Sequence, residues 1–402
     1  MQRPIKTLLF STLYPSTARP LHGIFVETRL RELLKTGAVE TKVVAPVPWF
    51  PWAGERFGEY GSFAATPQFE RRDGVDVFHP RYFLAPKVGM NSAPYALARG
   101  ALPTIRKLVR DGFDFDLIDA HYYYPEGVAA SFIAKALGRP FVVTARGTDI
   151  NVIADYPVPR RLILDTAQAA AASIGVSRAL MERLADLGAA REKLEVFRNG
   201  VDLERFHPVP RDAARQQIGI CAAPDDHMVL SVGNLVELKG HHLAIEALQE
   251  LPKGTRLAII GKGSDYSRLE ALARQLGLAD RVHFAGVIPP DQLKWWYSAA
   301  DVLVLCSSRE GWPNVLLEAM ACGTPVIATK VGGVAEVLAH GAGTLLSGRS
   351  SAALVSALAS LFAASPDRQQ IRRHAERFAW DDTSRAQLEL FRRISPVRRL
   401  IG

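Results

Sequence analysis

Residues 301–330, DVLVLCSSREGWPNVLLEAMACGTPVIATK, decide the fold class. Their first apolar run ends at Cys306 and is typical of a strand that is buried on both faces. A polar loop follows, and Pro313 is expected to open a helix, because proline is favoured at a first helical position. A Gly-Thr-Pro turn then leads into a second apolar run. The order strand, helix, strand predicts two parallel strands joined by a crossover helix.

The same alternation recurs along the whole chain of 402 residues. The strand candidates are IKTLLFS, TKVVAP, VDVFHP, DLIDAH, FVVTAR, SIGVS and LEVFRN in the first half, and MVLSVGN, RLAIIG, RVHFAG, DVLVLCS and PVIATK in the second. Two such series predict an α/β fold with two Rossmann-like, doubly wound parallel-sheet domains that face each other across a cleft. The boundary is expected near residues 199–214, where two prolines interrupt the pattern.

The composition is that of a folded protein, with 48% hydrophobic and 22% charged residues. No apolar run reaches the roughly 18 residues of a membrane-spanning helix. The N-terminal stretch MQRPIKTLLFSTLYP is interpreted as a first strand and not as a signal peptide, because no small-residue cleavage site follows it. Three cysteines, an odd number without metal-ligand spacing, favour a reducing compartment. The sequence therefore predicts a cytoplasmic protein.

The net charge of +8 is unevenly distributed. Residues 1–200 carry 26 Lys and Arg against 20 Asp and Glu, whereas the remainder carries 23 against 21. A basic first half predicts an anionic partner such as the inner face of the cell membrane, although solubility alone would also account for it. Nucleic acid is not expected as a partner.

Ligands of doubly wound sheets bind beyond the carboxyl ends of the strands, so the polar residues at those ends mark the candidate site. In the first half these are Ser11–Tyr14, His121, Arg146–Asp149 and Asn199-Gly200, and in the second half Gly233-Asn234, Gly261–Gly263 and Ser307–Glu310. Two sheets that face each other across these edges would form one cleft. Such a cleft suits an enzyme that brings two substrates together.

Glu310 and Glu318 flank the start of the helix that Pro313 opens. Helix N-termini leave backbone N–H groups unpaired and attract anions, most naturally a phosphate. The amides expected to be available belong to Gly311, Trp312, Asn314 and Val315. A carboxylate accepts hydrogen bonds from paired hydroxyls, so the two glutamates could bind the sugar and the ribose on either side of a diphosphate. This pattern predicts a nucleotide sugar as ligand, and the alternative is that both glutamates merely interact with the helix dipole.

The passage SSREGWPNVLLEAMACGTPVIATKVGGVAEVL resembles the signature of the retaining glycosyltransferases of family 4 (glycosyl transferases group 1), which have the GT-B fold. Two glutamates separated by seven residues are its most specific mark. Further similar passages are LYPSTARPLHGIFVETRLRELLKTG, DLIDAHYYYPEGVAA, PFVVTARGTDIN, LSVGNLVELKG and LAIIGKGSDYSRLEALA. FAWDDTSRAQLELF resembles the closing helix, which in this fold returns to the first domain. The resemblance implies an acceptor-binding domain over 1–204, a nucleotide-sugar-binding domain over 205–375 and a returning helix over 376–402.

The resemblance implies a role for each matching residue. Glu310, His121 and Lys239 would be catalytic, with Glu310 on hydroxyls of the donor hexose, His121 beside the transferred sugar and Lys239 on the diphosphate. The donor would also be bound by Asn234, Gly261, Gly263, Arg309, Gly311, Trp312, Asn314, Val315 and Glu318. Gly23, Arg146 and Asp149 would lie on the acceptor side. No metal and no cofactor is implied, and the partners would be a nucleoside diphosphate sugar and a hydroxyl acceptor.

The sequence departs from the family pattern at Asn234, where an arginine that binds the diphosphate is frequent, and Arg309 or Arg146 could replace that charge. The predicted function is retaining, metal-independent hexosyl transfer in the synthesis of a cell-surface polysaccharide or glycolipid, with a lipid-linked or polysaccharide-precursor acceptor. Three alternatives remain: a nucleotide-sugar epimerase of related fold, a phosphorylase that uses pyridoxal phosphate, for which the chain is short, and a catalytically weak nucleotide-sugar-binding subunit.

Overall fold

The computed structural model describes residues 3–84, 89–220, 226–339, 342–364 and 366–395, and the chain divides into two units. The first unit comprises residues 1–198 and 381–402, and the second comprises 199–380. Residues 199–204 and 376–380, which the sequence assigned to the first domain and to the returning helix, therefore belong to the second unit. The reason is local pairing, because the Val201 amide donates to the Phe378 carbonyl oxygen at 2.8 Å. Cys221 and residues 396–402 lie outside the described residues.

The first unit contains an eight-stranded sheet, most of whose strands are apolar and buried, and a separate two-stranded sheet. Its strands are β1 (Ile5–Phe10), β2 (Val39–Val44), β3 (Val47–Pro48), β4 (Phe69–Arg72), β5 (Val75–Phe78), β6 (Arg81–Tyr82), β7 (Leu117–His121), β8 (Phe141–Ala145), β9 (Ala172–Gly175) and β10 (Leu194–Val196). Its helices before the closing one are α1 (Ile24–Leu34), α2 (Gly58–Ala65), α3 (Ala93–Arg110), α4 (Val128–Leu137), α5 (Thr148–Asn151), α6 (Pro157–Ala169) and α7 (Arg178–Asp186). The strand order of the larger sheet is β10-β9-β8-β7-β1-β2-β5-β4, and all of its pairs are parallel except β4 with β5. The smaller sheet pairs β3 with β6 in parallel.

The second unit contains a fully parallel six-stranded sheet. Its strands are β11 (Met228–Val232), β12 (Arg256–Ile260), β13 (Val282–Gly286), β14 (Val302–Leu305), β15 (Val326–Thr329) and β16 (Thr344–Leu346). Its helices are α8 (Arg211–Gln217), α9 (His241–Ala247), α10 (Tyr266–Gln275), α11 (Leu293–Ala299), α12 (Asn314–Ala321), α13 (Val334–Val337), α14 (Ser351–Ala364) and α15 (Arg368–Glu376). The order β13-β12-β11-β14-β15-β16 is that of a Rossmann fold, in which the strand order reverses between the first and fourth strands.

The chain ends its described part with α16 (Trp380–Ile394), which completes the core of the first unit. Leu388, Leu390 and Phe391 of this helix are buried in one apolar cluster with Leu33 and Leu117. Burial of a large apolar side chain contributes about 1.5–3 kcal/mol, so three of them fix the helix firmly to the sheet. None of the helices in the described ranges is both long and apolar enough to cross a membrane.

The predicted α/β fold with parallel sheets in two domains is confirmed, and all twelve strand candidates coincide with strands. Four further strands, β3, β4, β6 and β16, were not predicted. They contain only two to four residues each, and β4 (FERR) carries three charged residues, so none forms an apolar run. Strands this short leave little periodic signal, whether they lie at a sheet edge, as β4 and β16 do, or form a separate pair, as β3 and β6 do.

Candidate functional site

The candidate site of the second unit lies at its switch point, where the loops after β11 and β14 diverge to opposite sides of the sheet. β11 and β14 are neighbours in the sheet, with Val229 paired to Val302 and Leu230 to Leu303. The loop after β11 carries Lys239, and the loop after β14 carries Glu310. Doubly wound sheets bind ligands at this point because the two loops leave a crevice between them.

Lys239 and Glu310 form an ion pair across these two loops. The Lys239 Nζ atom lies 2.6 Å from Glu310 Oε1, and the Ser307 hydroxyl donates to the same oxygen at 2.6 Å. The side chains are 22% and 9% exposed, so the pair is partly accessible. Glu310 Oε2 forms no hydrogen bond to any described residue. The arrangement thus offers a fixed cation next to a carboxylate oxygen that can accept from a hydroxyl.

Glu318 lies on α12, and a tyrosine of α11 forms a hydrogen bond to its carboxylate. The Tyr297 hydroxyl donates to Glu318 Oε2 at 2.7 Å. Burial raises the pKa of Glu318, while the bond from Tyr297 opposes that rise. Tyr297 belongs to the segment Trp295–Tyr297, whose side chains pack in part into the core, and its hydroxyl had no recognisable signal in the sequence. Tyr297 therefore orients one of the two motif glutamates from a neighbouring helix.

The start of α12 differs from the expectation at two residues, Pro313 and Asn314. The helix begins at Asn314, so Pro313 is its cap and not its first residue. The Asn314 amide donates to the Trp312 carbonyl at 3.1 Å, and it is therefore engaged instead of being available to an anion. The Trp312 side chain is buried, and its indole N–H donates to the Asn199 carbonyl oxygen at 3.0 Å. Gly311 lies in the loop before the helix and Val315 in its first turn, as the sequence indicated.

Gly261 and Gly263 follow β12 and allow two loops to approach each other. A Cβ on Gly261 would lie 1.9 Å from the Gly233 carbonyl oxygen, and one on Gly263 would lie 2.2 Å from that of Leu235. Gly261 also has a φ of +145°, which side chains rarely adopt. The close packing brings the loop after β12 against the loop that carries Lys239. The glycines thus have a structural reason within the protein itself, independent of any nucleotide.

The cations around Lys239 are arranged differently from the family pattern. Asn234 is exposed, and its carbonyl oxygen accepts from the buried His241 ring at 3.2 Å. Arg309 is exposed and forms no hydrogen bond or ion pair with any described residue. Arg349, which the sequence did not single out, donates to the Cys306 carbonyl at 2.9 Å and to Glu237 at 3.2 Å. Of these groups, Arg309 is the cation that is adjacent to Glu310 and available to a ligand.

The candidate site of the first unit lies at its own switch point, between β1 and β7. His121 ends β7, and its ring is 1% exposed. Its Nε2–H donates to Asp119 Oδ2 at 3.2 Å, and its Nδ1 accepts from the Arg146 guanidinium. Burial lowers the pKa of His121 to about 4, so the ring is neutral at physiological pH. His121 and Arg146, two residues of the predicted site, therefore contact each other directly.

Asp119 connects this histidine to the closing helix. Gln387 of α16 donates to Asp119 Oδ2 at 3.1 Å and accepts from Arg29 Nε at 2.9 Å. All of these side chains are at most 3% exposed. Burial lowers the pKa of Arg29 to about 10 and that of Arg146 to about 9, which leaves both cations protonated near pH 7. A buried network that joins α1, β7 and α16 thus holds the His121 ring in one orientation.

Gly23 and Asp149, the other two acceptor-side candidates, fix the backbone conformation of the loops after β1 and β8. A Cβ on Gly23 would lie 2.3 Å from the Leu13 carbonyl group, and its φ of +68° favours glycine. Asp149 is fully buried, and its carboxylate accepts from the backbone amides of Tyr123, Arg146, Gly147 and Ile150. Asp149 therefore fixes the loop after β8 from inside and does not itself face a ligand.

A further buried carboxylate, Glu126, follows His121 by five residues in the sequence and was not predicted. It accepts from the Thr12 hydroxyl, and its Oε2 has no partner among the described residues. Burial raises the pKa of Glu126 to about 7. Ser11, the neighbour of Thr12, donates its hydroxyl to the His121 carbonyl oxygen at 3.0 Å. The ends of β1 and β7 are thus joined by side-chain hydrogen bonds.

Comparison with known proteins gives consistent matches over both units. The family described as Glycosyl transferases group 1 matches residues 213–378, and Glycosyltransferase Family 4 matches residues 60–205. TuaC of Bacillus subtilis, named for teichuronic acid biosynthesis, is 30% identical over 364 residues, which are 88% of each chain. A D-inositol 3-phosphate glycosyltransferase of Xylanimonas cellulosilytica is 31% identical over 362 residues, covering 84% of this chain and 86% of the relative.

The fold has a close counterpart among solved structures. HepE of Anabaena, in complex with UDP-glucose, superposes with a TM-score of 0.71 at 22% identity, over 96% of this chain and 98% of HepE. Two α/β units with polar groups at each switch point are therefore the architecture of a GT-B glycosyltransferase. The chain belongs to family 4 of the glycosyltransferases, as its sequence predicted. An epimerase is not favoured, because both family matches and both relatives are glycosyltransferases.

Proposed function

We propose that the protein transfers a hexose from a nucleoside diphosphate sugar to a hydroxyl acceptor, with retention at the anomeric carbon. The observation that carries this proposal is the Lys239–Glu310 pair at the switch point of the second unit, with Glu310 Oε2 open to a ligand hydroxyl. Lys239 would lie on the diphosphate, Glu310 on hydroxyls of the hexose, and Glu318 on the ribose. HepE binds UDP-glucose, which makes UDP-hexoses the first donors to test.

The proposed reaction is a displacement on one face of the sugar. The acceptor oxygen forms a bond to the anomeric carbon while the bond from that carbon to the diphosphate oxygen breaks. The acceptor proton passes to the departing diphosphate. Lys239 and the first turn of α12 stabilise the negative charge that grows on the diphosphate, and the remaining contacts position both substrates. No bound metal is needed in this scheme, because the cation and the helix N-terminus supply the charge.

His121 orients groups in this scheme and does not transfer protons. Both of its ring nitrogens are bonded, and its pKa of about 4 keeps it neutral. A neutral, fixed ring next to the end of β1 helps to define where the acceptor hydroxyl lies.

The names of the relatives and the charge of the first half support the pathway and the location that we propose. The names of the two relatives, for teichuronic acid and for inositol 3-phosphate, both contain an acidic molecule. The first half of this chain is basic, with a net charge of +6 over residues 1–200 (26 − 20). We therefore infer a role in the synthesis of a cell-surface polysaccharide or glycolipid, at the inner face of the cell membrane. Vesicles with and without anionic lipid test that location, and equal lack of binding to both would overturn it.

A thermal-shift panel tests the donor site. A ligand that binds only the folded state raises the melting temperature. We expect one nucleoside diphosphate and its sugars to stabilise the protein, with the same shift in EDTA. Loss of the shift in EDTA would contradict metal independence, and no shift with any nucleotide would contradict the donor site.

A nucleotide-sugar-binding subunit with little activity is the second candidate. It is favoured by Asn234, which replaces a cation of the family pattern. Tight donor binding without turnover by any acceptor preparation would support this candidate. Release of a free hexose or a glycosylated product would support the transferase.

A further inference from the structure

The first unit contains an aromatic pocket at the carboxyl end of β1. The cavity has a volume of about 500 Å³, and six aromatic side chains line it: Trp49, Phe50, Tyr60, Phe63, Tyr82 and Phe83. The rings contact each other, with centroids 5.3 Å apart for Phe50 and Tyr60 and 5.8 Å apart for Tyr60 and Phe63. Trp49 and Phe83 are 54% and 70% exposed, so their apolar area is available to a ligand.

Arg19 is a charged group of this pocket whose side chain has neither a hydrogen bond nor an ion pair with any described residue. Its guanidinium lies over the Phe63 ring at 4.7 Å from the centroid. Its Nε atom is buried without a hydrogen bond, and the guanidinium forms no ion pair with any described residue. Glu59 also lines the pocket, and its charge raises the pKa of Arg19, but burial is the larger influence and lowers it. A partly desolvated cation that is not paired gains most from a bound anion.

The loop that carries Arg19 is held in place. The Arg19 amide donates to the Ser16 carbonyl at 2.9 Å, and the Ser16 amide donates back to the Arg19 carbonyl at 3.2 Å. His22, a few residues further on, donates its Nε2–H to the Thr12 carbonyl at 3.1 Å, and burial lowers its pKa to about 4. The Arg19 side chain is therefore presented from a closed turn, next to a neutral histidine.

The pocket is joined to the end of β7. Thr12 lines it and donates its hydroxyl to Glu126, five residues beyond His121. Charge on Glu126 contributes to the raised pKa of Tyr82, another lining residue. A ligand in the pocket would thus lie beside the same strand ends that carry His121.

We propose that this pocket binds the acceptor through a phosphate group, with Arg19 on the phosphate and the aromatic rings against the apolar or sugar body next to it. The guanidinium fork matches phosphate oxygens in a bidentate geometry, and aromatic faces pack against apolar chains and sugar rings alike. The inference rests on the proposed function, since it names the acceptor class of that reaction. A lipid phosphate and a sugar phosphate share this chemistry.

Binding of small probes separates these sources. Decyl phosphate represents a lipid phosphate and glucose 1-phosphate a sugar phosphate, with decyl glucoside, glucose and inorganic phosphate as references. For the wild-type protein we expect saturable binding of at least one phosphate ester, tighter than that of inorganic phosphate and of the neutral probes. Preference for decyl phosphate supports the lipid source, and preference for glucose 1-phosphate supports the sugar phosphate. Equal affinity for inorganic phosphate and both esters, or no saturable binding, would overturn the inference.

Arg19→Gln and Arg56→Gln make a matched pair of variants. Arg56 also lies over an aromatic ring, at 4.7 Å from the centroid of Phe57, but it is exposed and does not line the pocket. We expect Arg19→Gln to weaken ester binding by a factor of about 10 or more, Arg19→Lys to restore part of it, and Arg56→Gln to change it by less than about twofold. Equal losses in the two Gln variants would mean a general charge effect and would overturn the inference.

Donor binding in the same samples keeps this test separate from the proposed function. Arg19→Gln is expected to leave the thermal shift by UDP-hexoses unchanged. A normal donor shift with Arg19-independent ester binding would refute the acceptor pocket alone. Arg19-dependent ester binding without any donor shift would refute the transferase and leave a phosphate site.

Discussion

At the switch point of the second unit, Lys239 and Glu310 lie 2.6 Å apart and are 22% and 9% exposed, whereas His121 at that of the first unit is 1% exposed with both ring nitrogens bonded. The same topological position thus holds an ion pair with a free hydrogen-bond acceptor in one sheet, and a buried network whose histidine has both ring nitrogens bonded in the other. An open ion pair can exchange partners when a charged ligand arrives. A buried network cannot do so cheaply, since each unpaired group costs about 1–3 kcal/mol. We infer from this difference that the switch point of the second unit binds the charge of the donor, whereas that of the first unit positions groups.

The largest expected effect is that of removing the Glu310 carboxylate on catalysis. We expect Glu310→Ala to lower kcat/KM by about 10²- to 10³-fold, because the contact to the donor hexose is lost where it matters in the transition state. Stability should change by less than about 1 kcal/mol, since the pair with Lys239 is partly exposed. Steady-state kinetics and thermal melting measure the two effects.

Glu237→Ala is the control for Glu310→Ala. Glu237 belongs to the neighbouring loop, is 64% exposed at its side chain and bonds Arg349 at 3.2 Å. Its removal should leave kcat/KM within about threefold. Near-normal turnover of Glu310→Ala, or an equal loss in both variants, would show that the open pair is not the donor site.

Substitutions in the buried network around His121 should lower the free energy of unfolding, whereas Glu310→Ala should mainly lower activity. Gln387→Leu removes the bonds from the closing helix to Asp119 and Arg29, and we expect it to cost about 2–3 kcal/mol. Chemical denaturation at equilibrium measures this loss. Gln369→Leu makes the same chemical change at an exposed position of α15 and should cost less than about 0.5 kcal/mol. Equal stability of both variants would show that the hydrogen bonds of Gln387 contribute nothing measurable to the free energy of unfolding.

The pH dependence of stability sharpens the contrast further. Burial raises the pKa of Glu126 from about 4.5 to about 7, so between these values the folded state holds a proton that the unfolded chain has released. Its contribution is therefore present at low pH and is lost as pH rises through 7. Between pH 5 and 8, the wild type should lose roughly 2–3 kcal/mol relative to Glu126→Gln, which has no proton to lose.

His121 should make stability depend on pH in the opposite direction. Its pKa is lowered to about 4, so its contribution is present above pH 6.5 and is lost as pH falls through 4. Denaturation curves of wild type and Glu126→Gln at pH 5, 6.5 and 8 separate the two groups. Parallel pH profiles for both proteins would mean that Glu126 titrates as in solution.

The sequence predicted most of the strands, and it singled out His121 and Arg146 but not the contacts that join them to the closing helix. Apolar runs and turn residues are local, which is why all twelve strand candidates correspond to strands. The motif residues Lys239 and Glu310 lie in contact, and their role as a donor site stays a prediction. Gln387 lies 268 residues from Asp119 and 358 from Arg29, and no local pattern reports such a contact. Tyr297 was missed for the same reason, since a buried tyrosine looks like core until its hydroxyl partner is known.

The start of α12 shows a different limit. The motif placed Trp312 and Asn314 beside a ligand, because a helix start exposes amides. The helix starts one residue later than expected, and the Asn314 amide donates to the Trp312 carbonyl oxygen, so it is not available to a ligand. Helix ends are uncertain by one or two residues from sequence, so which amides are available is decided by the tertiary structure.

The smallest expected effect concerns Asn234, where the open site lacks a cation of the family pattern. Its side chain is exposed, and its backbone is fixed by the bond from His241, so Asn234→Arg should add a charge without disturbing the loop. We expect donor affinity to rise about three- to tenfold at low salt and the gain to shrink at 0.5 M salt, as for exposed charges. Gln275→Arg adds the same charge at an exposed position of α10 and should change donor affinity by less than about 1.5-fold. Equal gains in both variants would reduce the effect to net charge. No gain in Asn234→Arg would mean that an existing cation, with Arg309 the nearest in sequence to Glu310, already supplies the charge that the family pattern assigns to arginine.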